Sequence, residues 1–506
     1  MDSRPKNLFY PLFHSPKPIP KLVWMIALTA AFIRVGMMLA THFTSEDFLI
    51  TLRYAQNLSH GNGLVFNRWE YVLGTTTPLY TLFLAGVDRL GLPAAFCGKL
   101  LNIAADFLLC PLLYRWVQAL GGDERTGVVA ALCACLCPLQ IDWAVSGMET
   151  GLVTLGCTLL WVLALEGELT LCYLLAAFVI LVRWDALLVI LLITMQCWYT
   201  NRRIPVRQML ITTCILIPFL LAARHWYGSP LPGTAFAKSQ VYGWRADHIS
   251  NPFLRRLPIL PKLLHVFLGF PYGLPFTVTG ILGLISLWRK KSVHIIWPLI
   301  WVAVYWGSFL TSRILLFTWY LVPPLPLMYV LSAFGIAYIL SPESKPTRVV
   351  LKIVAVASLA IISYFSLTAS FHVLSRDQLV EDTVRKPMGI WLGRHAAPGD
   401  TVMLEPIGYV GYYSKLRVLD VIGLVSPQVL RFYRPAAVYP PFDIAVAYHP
   451  EWCVLRPGEL LEVRQAATAA HVHWSNYYKL VKTFELTPSS YVYYIFKRAG
   501  KWDLTK

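Results

Sequence analysis

The sequence predicts a polytopic α-helical membrane protein with a soluble α/β domain at its C-terminal end. Three observations predict it. The 506 residues are 57% hydrophobic and only 14% charged, with a mean hydropathy of +0.55, and a soluble protein of this length needs more charge to cover its surface. Apolar runs of bilayer length recur through the first three quarters of the chain. From about Ser375 the chain turns polar, and short β-branched and aromatic runs replace the apolar ones.

Taken in order, spans are expected over 22–41, 98–120, 126–141, 151–165, 169–182, 186–199, 208–224, 266–288, 293–311, 315–340 and 349–371. Segment 77–90, TPLYTLFLAGVDRL, is apolar but short for a span, and Pro78 and Asp88 bound it. If it crossed, the loop holding Glu46 and Asp47 would lie opposite the loop Ser146-Gly147-Met148-Glu149-Thr150. If it lies in the interface, both loops share a side. Cytoplasmic loops are enriched in Lys and Arg. Only the interfacial placing puts Arg202, Arg203, Arg207, Arg289, Lys290, Lys291, Lys345 and Arg348 on the same side as the basic N-terminal residues Arg4, Lys6, Lys17 and Lys21. The expected topology is therefore about eleven spans, with the N-terminus inside and the C-terminal domain outside. No small-residue cleavage site follows the first span, so it reads as an anchor. Residues 1–374 form the membrane module, with a first outer loop over 42–97, and 375–506 form the outer domain. Strands are expected there at 402–405, 418–421, 479–484 and 491–496.

Much of the +17 net charge sits in the short loops just named, so it sets orientation and gives no reason to expect a nucleic-acid partner. Nine of the ten cysteines fall in or beside apolar runs, and only Cys453 lies in the polar tail. Cys133, Cys135 and Cys137 have no His or acidic companions for a metal and read as small apolar helix residues.

Several polar groups invite chemistry, and each also has a plain structural reading. Glu46-Asp47 lies at the mouth of the first span, where Asp47 also suits the start of a helix over 48–58. Glu149 lies in the second loop on the same side, where two acids from two loops can hold a divalent cation or orient a hydroxyl; it also complements the N-terminus of the next helix. Arg183-Trp184-Asp185 breaks an apolar stretch, where charges pair or line a cavity, or mark a tight turn. The loop HWYGSPLPGTAFAKSQVYG over 225–243 offers His225, Lys238 and aromatics suited to a sugar and a phosphate, or to an interfacial belt. Arg313, before Trp319-Tyr320, can hold a lipid phosphate or snorkel to the head groups. Arg34 and Asp106 each lie roughly 12 Å inside their spans at 1.5 Å per residue, an equal depth that suits a buried structural pair.

Together these stretches resemble the GT-C superfamily of integral-membrane glycosyltransferases, most closely the branch that includes the mycobacterial terminal β-arabinofuranosyltransferases. Six stretches carry the resemblance in order: EDFLITLRYAQNLSHGNGLVFN, GTTTPLYTLFLAG, SGMETGL, RWDALLV, WYGSPLPGTAFAK and EPIGYVGYYSKLRVLDVIGLVSP. The family shows Asp-Asp where this chain has Glu46-Asp47, Arg-Pro-Asp where it has Arg183-Trp184-Asp185, and Pro-Asn-Thr where it has Pro232-Gly233-Thr234.

The resemblance implies the GT-C fold and a hexosyl- or pentosyltransferase, an arabinofuranosyltransferase among them. The sugar comes from a polyprenyl-phosphate donor and goes to a cell-envelope glycan or lipid acceptor. The reaction takes place on the outer face of the cytoplasmic membrane, among its lipids. It implies catalysis at Asp47, with Glu46 as helper or metal ligand. Electrostatics requires a cation for the leaving phosphate. Lys238, Arg313 and Arg183 are candidates, as is a divalent cation, magnesium or manganese, held by Glu46, Asp47 and Glu149; Glu149, Asp185 and His225 complete the expected substrate contacts. Rival readings are a transporter or flippase, which should show inverted repeats and paired broken helices, and a polymerase or ligase of lipid-linked sugars.

Overall fold

The computed structural model describes residues 18–247, 273–290, 292–311, 315–340, 347–434, 440–487 and 491–500. Arg4, Lys6, Lys17, the stretch 266–272, Lys291, Arg313 and Lys345 lie outside the described residues.

The membrane module contains helices α1 (Lys21–Thr41), α2 (Glu46–Ser59), α3 (Pro78–Arg89), α4 (Ala94–Ala119), α5 (Glu124–Leu136), α6 (Pro138–Val145), α7 (Thr150–Glu166), α8 (Leu169–Val182), α9 (Leu187–Asn201), α10 (Val206–Tyr227), α11 (Thr234–Asp247), α12 (Gly273–Arg289), α13 (Ile296–Thr311), α14 (Leu325–Ile339) and α15 (Thr347–Val380). Among the described residues, α1, α4 and α10 are long and apolar enough to cross a membrane, and the bent pair α5–α6 brings the number to four. Other apolar helices run 10–17 residues, so a count of eleven spans is not established.

Two expected spans are interrupted, and proline explains both. Residues 126–141 break by 55° between α5 and α6. Pro138 lacks the N–H that would bond the Ala134 carbonyl. Arg34 takes over: Nη2 donates to Ala134 O at 2.9 Å and Nη1 to Cys135 O at 3.0 Å. Its Nε meets Asp106 Oδ2 at 2.6 Å, and Gln140 Nε2 donates to Asp106 Oδ1 at 2.7 Å. Both charges are about 1% exposed, so the pair binds α1, α4 and the broken span into one bundle. Residues 315–340 likewise do not form a single helix. A 3₁₀ turn at Thr318–Leu321 precedes α14, whose start is fixed by Pro323 and Pro324, residues that favour a helix end over its interior.

α3 is a 12-residue helix opened by Pro78, too short to cross a bilayer. The loops before α2 and before α7 meet directly: Ser45 N donates to Ser146 O at 2.9 Å, and Tyr80 OH on α3 donates to Gly147 O at 2.6 Å. Gly147 has φ +88°, and a Cβ there would overlap the Phe48 ring, so the loop closes over α2 only with glycine.

α15 runs through position 375 without a break, and a five-residue π turn at Glu381–Arg385 leads into α16 (Lys386–His395). Beyond it lies a mixed sheet in the order β2-β1-β3-β5-β4. Its strands are β1 (Thr401–Leu404), β2 (Arg417–Asp420), β3 (Trp452–Leu455), β4 (Tyr478–Leu486) and β5 (Tyr491–Arg498). β1 pairs in parallel with β2 and β3, whereas β5 pairs antiparallel with β3 and β4. Successive residues face opposite sides of the sheet. Met403, Leu419 and Cys453 pack under helices α18 (Pro440–Tyr448) and α19 (Pro457–Ala469). Val402, Val418 and Val454 pack with Met388 and Leu392 of α16, and with Val410 of α17 (Gly408–Ser414).

That second core also takes in Tyr54 and Phe66 from the first loop, so the loop is part of the packing of the C-terminal sheet. Arg53 fastens it. Its Nε donates to Phe66 O at 2.8 Å, Nη1 to Gly411 O at 2.7 Å and Nη2 to Leu416 O at 2.6 Å. Asn67 pairs with the edge strand β2 as a further strand residue would: its Nδ2 donates to Val418 O at 2.8 Å, and its Oδ1 accepts Val418 N at 2.9 Å.

Candidate active site

A cavity of about 500 Å³ opens where the loops, the helix ends and the soluble domain converge. All six stretches that carry the resemblance reach it, through Asp47, Thr75, Glu149, Arg183, Lys238 and Leu424. Helix α13 adds Tyr305 and Ser308, and the turn before α14 adds Trp319 and Tyr320.

The two adjacent acids at the start of α2 part company. Consecutive helical residues point about 100° apart. Asp47 faces the cavity and makes no hydrogen bond or ion pair to a described residue. Glu46 turns to the soluble domain, where its carboxylate accepts Gly408 N and, at 3.1 Å, Tyr409 N. The expected metal set is therefore not assembled: Glu46 is engaged elsewhere. Among the described residues, no group of three or more His, Cys, Asp or Glu stands together to hold an ion.

Arg183 is buried and already neutralised. Its Nη2 meets Asp185 Oδ2 at 2.7 Å, its Nη1 lies 3.6 Å from Glu149 Oε1, and Nη2 also reaches Tyr305 OH at 3.1 Å. Burial raises the Glu149 carboxyl above its ordinary range, against the pull of Arg183. Lys238 differs. It makes no ion pair to a described residue, and its ammonium lies over the Phe317 ring at 5.0 Å and the Trp319 ring at 5.7 Å. Desolvation is the largest influence and lowers its pKa, but Tyr320, Asp47, Tyr242 and Asp420 together outweigh it and the net shift is upward, so the ammonium stays charged. Three buried donors along the cavity lack a hydrogen-bond partner: Arg183 Nη1, Trp184 Nε1 and Thr234 Oγ1. Leaving such groups unpaired costs about 1–3 kcal/mol each, and a ligand rich in oxygen acceptors removes that cost.

Asp47, Glu149, Arg183, Asp185 and Lys238 thus converge as the sequence suggests. His225 does not; it is exposed on the last turn of α10. Arg313 lies outside the described residues. Sequence reading missed the threonines Thr75 and Thr77, Tyr305 and the contribution of Leu424. The apolar run Asp-Val-Ile-Gly-Leu-Val was the only available signal for Leu424. Asp420 folds that run into a tight loop by accepting Ile422 N at 2.9 Å, Leu424 N at 2.5 Å and Val425 N at 3.1 Å. Gly74 packs beneath the Leu424 carbonyl, where a Cβ would meet the oxygen at 2.6 Å.

Comparison with known proteins gives the fold. The chain is similar to ArnT from Cupriavidus metallidurans bound to undecaprenyl phosphate, with a TM-score of 0.58 and 14% identity over 94% of this chain and 97% of that one. It is also similar to the archaeal oligosaccharyltransferase AglB from Archaeoglobus fulgidus, solved with an inhibitory peptide and a dolichol-phosphate. That TM-score is 0.55, with 10% identity over 95% of this chain and 74% of that one. Their shared architecture is the GT-C glycosyltransferase fold, and this chain has it. A sequence match to the terminal β-(1→2)-arabinofuranosyltransferase of Mycobacterium tuberculosis is 34% identical over 125 residues. It covers 23% of this chain and 20% of the relative, a small part of each. Residues 372–500 match a family described as a domain of unknown function, DUF8728.

Proposed function

We propose that this chain, with its GT-C fold, is a glycosyltransferase that moves a sugar from a polyprenyl-phosphate donor to a glycan or lipid acceptor at the outer surface of the cytoplasmic membrane. The observation that carries the reading is the pairing of free charges in one cavity. Asp47 is an acid without a partner among the described residues and Lys238 a cation without one, while Arg183, Asp185 and Glu149 are matched to each other. The undecaprenyl phosphate and dolichol-phosphate bound by the fold's relatives support a lipid-phosphate donor. The 125-residue match supports arabinofuranose as the sugar.

The charges then divide the work. The acceptor hydroxyl attacks the anomeric carbon, and Asp47 takes its proton as the new C–O bond forms. The bond from that carbon to the phosphate oxygen breaks. The departing phosphate gains charge beside Lys238, whose ammonium is fixed in advance over two aromatic rings. Thr234, Trp184 and the unpaired Arg183 N–H offer hydrogen bonds to sugar or phosphate oxygens. Residues 375–506 act as the outer domain and reach the cavity through Leu424.

The test is incubation of membranes containing the chain with a panel of polyprenyl-phosphate sugars, following both release of the polyprenyl phosphate and appearance of a glycosylated acceptor. Stoichiometric release and transfer support the reading. Passage of intact donor across the membrane without release supports a flippase and overturns it.

A further inference from the structure

A second cleft, of about 300 Å³, lies behind α2 on the face opposite the cavity. Asp47, Ile50 and Thr51 face the cavity, whereas Leu49 and Leu52 face this cleft. Its other walls are His42 and Thr44 after α1, Gln378 in the last turn of α15, Lys386 at the start of α16, and Tyr412 and Tyr413 of α17.

Two features point to an occupant. The first is level. α1 ends at Thr41 and α4 starts at Ala94, so His42 and Ala95 place the cleft where two membrane-length helices leave the bilayer. Exposed Leu39, Phe96 and Leu379 flank it, each next to or one turn from a cleft residue, and offer a path for hydrocarbon chains. The second is charge. Lys99 is 7% exposed, and its ammonium donates to the Phe43 carbonyl and, at 2.9 Å, to Thr44 Oγ1, directly behind the cleft wall. No described carboxylate pairs with it. A buried charge without a counter-ion is costly, and an anion at the wall removes that cost. Lys386 stands at the rim over the Tyr413 ring at 5.7 Å, held only by the exposed Asp382 at 3.5 Å. Asp382 is the one carboxylate lining the cleft among the described residues.

We propose that this cleft seats the phosphate headgroup of an anionic membrane phospholipid, with the Lys386 ammonium and the His42 imidazole in its wall, the buried Lys99 charge behind that wall and the two tyrosines around the headgroup. The lipid bridges the ends of α1 and α4 to the soluble domain, and so helps hold that domain at the membrane surface. The site is separate from the donor cavity, and its test does not depend on transfer activity.

The full chain, purified in a neutral detergent, is titrated with dihexanoyl phosphatidylglycerol and with dihexanoyl phosphatidylcholine. Phosphatidylglycerol is expected to bind at least tenfold more tightly. Lys386→Glu should weaken it about tenfold, because one attractive contact becomes repulsive, and should leave phosphatidylcholine unchanged. His42→Ala should weaken it less. Lys238→Met, in the donor cavity, should have no effect. Thermal melting shows that each variant is folded. Equal affinity for the two lipids overturns the proposal, as does full phosphatidylglycerol affinity in folded Lys386→Glu. Displacement by glycerol 1-phosphate as effective as by the lipid also overturns it, since a soluble phosphate is then the ligand.

Discussion

Arg53→Met is the sharpest test of how the soluble domain is held over the cavity. Arg53 donates to three carbonyls: Phe66 on its own loop, and Gly411 and Leu416 on the soluble domain. All three bonds are buried, and hydrogen bonds from a charged donor contribute about 1.5–3 kcal/mol each. Methionine keeps much of the volume and strands all three acceptors, two of them across the contact, so docking should weaken by at least about 3 kcal/mol, roughly a hundredfold in equilibrium. Lysine should rescue little, because one ammonium cannot replace the guanidinium fork across three separated carbonyls. Hydrogen exchange in detergent reads the result directly. The amides of α17 and β2 should lose protection, while those of α1 and α4 keep theirs. If Arg53→Met leaves exchange in α17 unchanged and costs less than about 1 kcal/mol, the packing across Tyr54 and Phe66 suffices and the reasoning fails.

Three further expectations follow from the same geometry. Arg34→Met should cost about 3–5 kcal/mol by leaving Asp106 charged and buried, and Arg34→Met/Asp106→Leu should recover most of it, as read by thermal melting in detergent. Gly147→Ala should destabilise the chain by about 1–3 kcal/mol, since it meets both the positive φ and the Phe48 ring; Phe48→Ala in the same chain should relieve only the ring overlap. Burial pushes the Asp420 carboxyl up to about 6, against the backbone N–H groups it accepts. The folded domain then binds more protons than the unfolded chain between its ordinary value of 3.8 and about 6. Stability should fall as pH rises through that window, by no more than about 3 kcal/mol, and Asp420→Asn should flatten the slope in pH-dependent melts.

The parts legible in the sequence were those set by local chemistry. The shortness of 77–90 and its opening Pro78 point to a helix too short to cross a bilayer, and α3 is one. Arg183 and Asp185 stand out because an apolar stretch makes charges expensive unless they pair or face a cavity, while Glu149 and Lys238 stand out as an acid and a cation in loops on the same side. Pro138 also signalled the break after Leu136, but the apolar run around it reads as one span until Arg34 is seen filling the carbonyls that the proline frees. Arg53 carries no signal of its role in the sequence, since its two partners on the C-terminal domain lie more than three hundred residues away. The divergence of Glu46 from Asp47 was hidden for the same reason: only the position of Gly408 shows which acid is taken. Strand β3, four buried residues between Glu451 and Arg456, carries no alternation to reveal it.

In the proposed reaction Asp47 takes the proton in a cavity where Lys238 receives the phosphate. The direct measurement is the single-turnover rate of sugar transfer by Asp47→Asn, beside the wild type at equal donor occupancy. Asparagine keeps the shape and removes the charge. Donor binding should persist and the rate should fall about 10²–10⁴-fold. A folded Asp47→Asn protein that transfers sugar at the wild-type rate would contradict the account, leaving Asp47 as a helix-capping acid and placing the chemistry elsewhere.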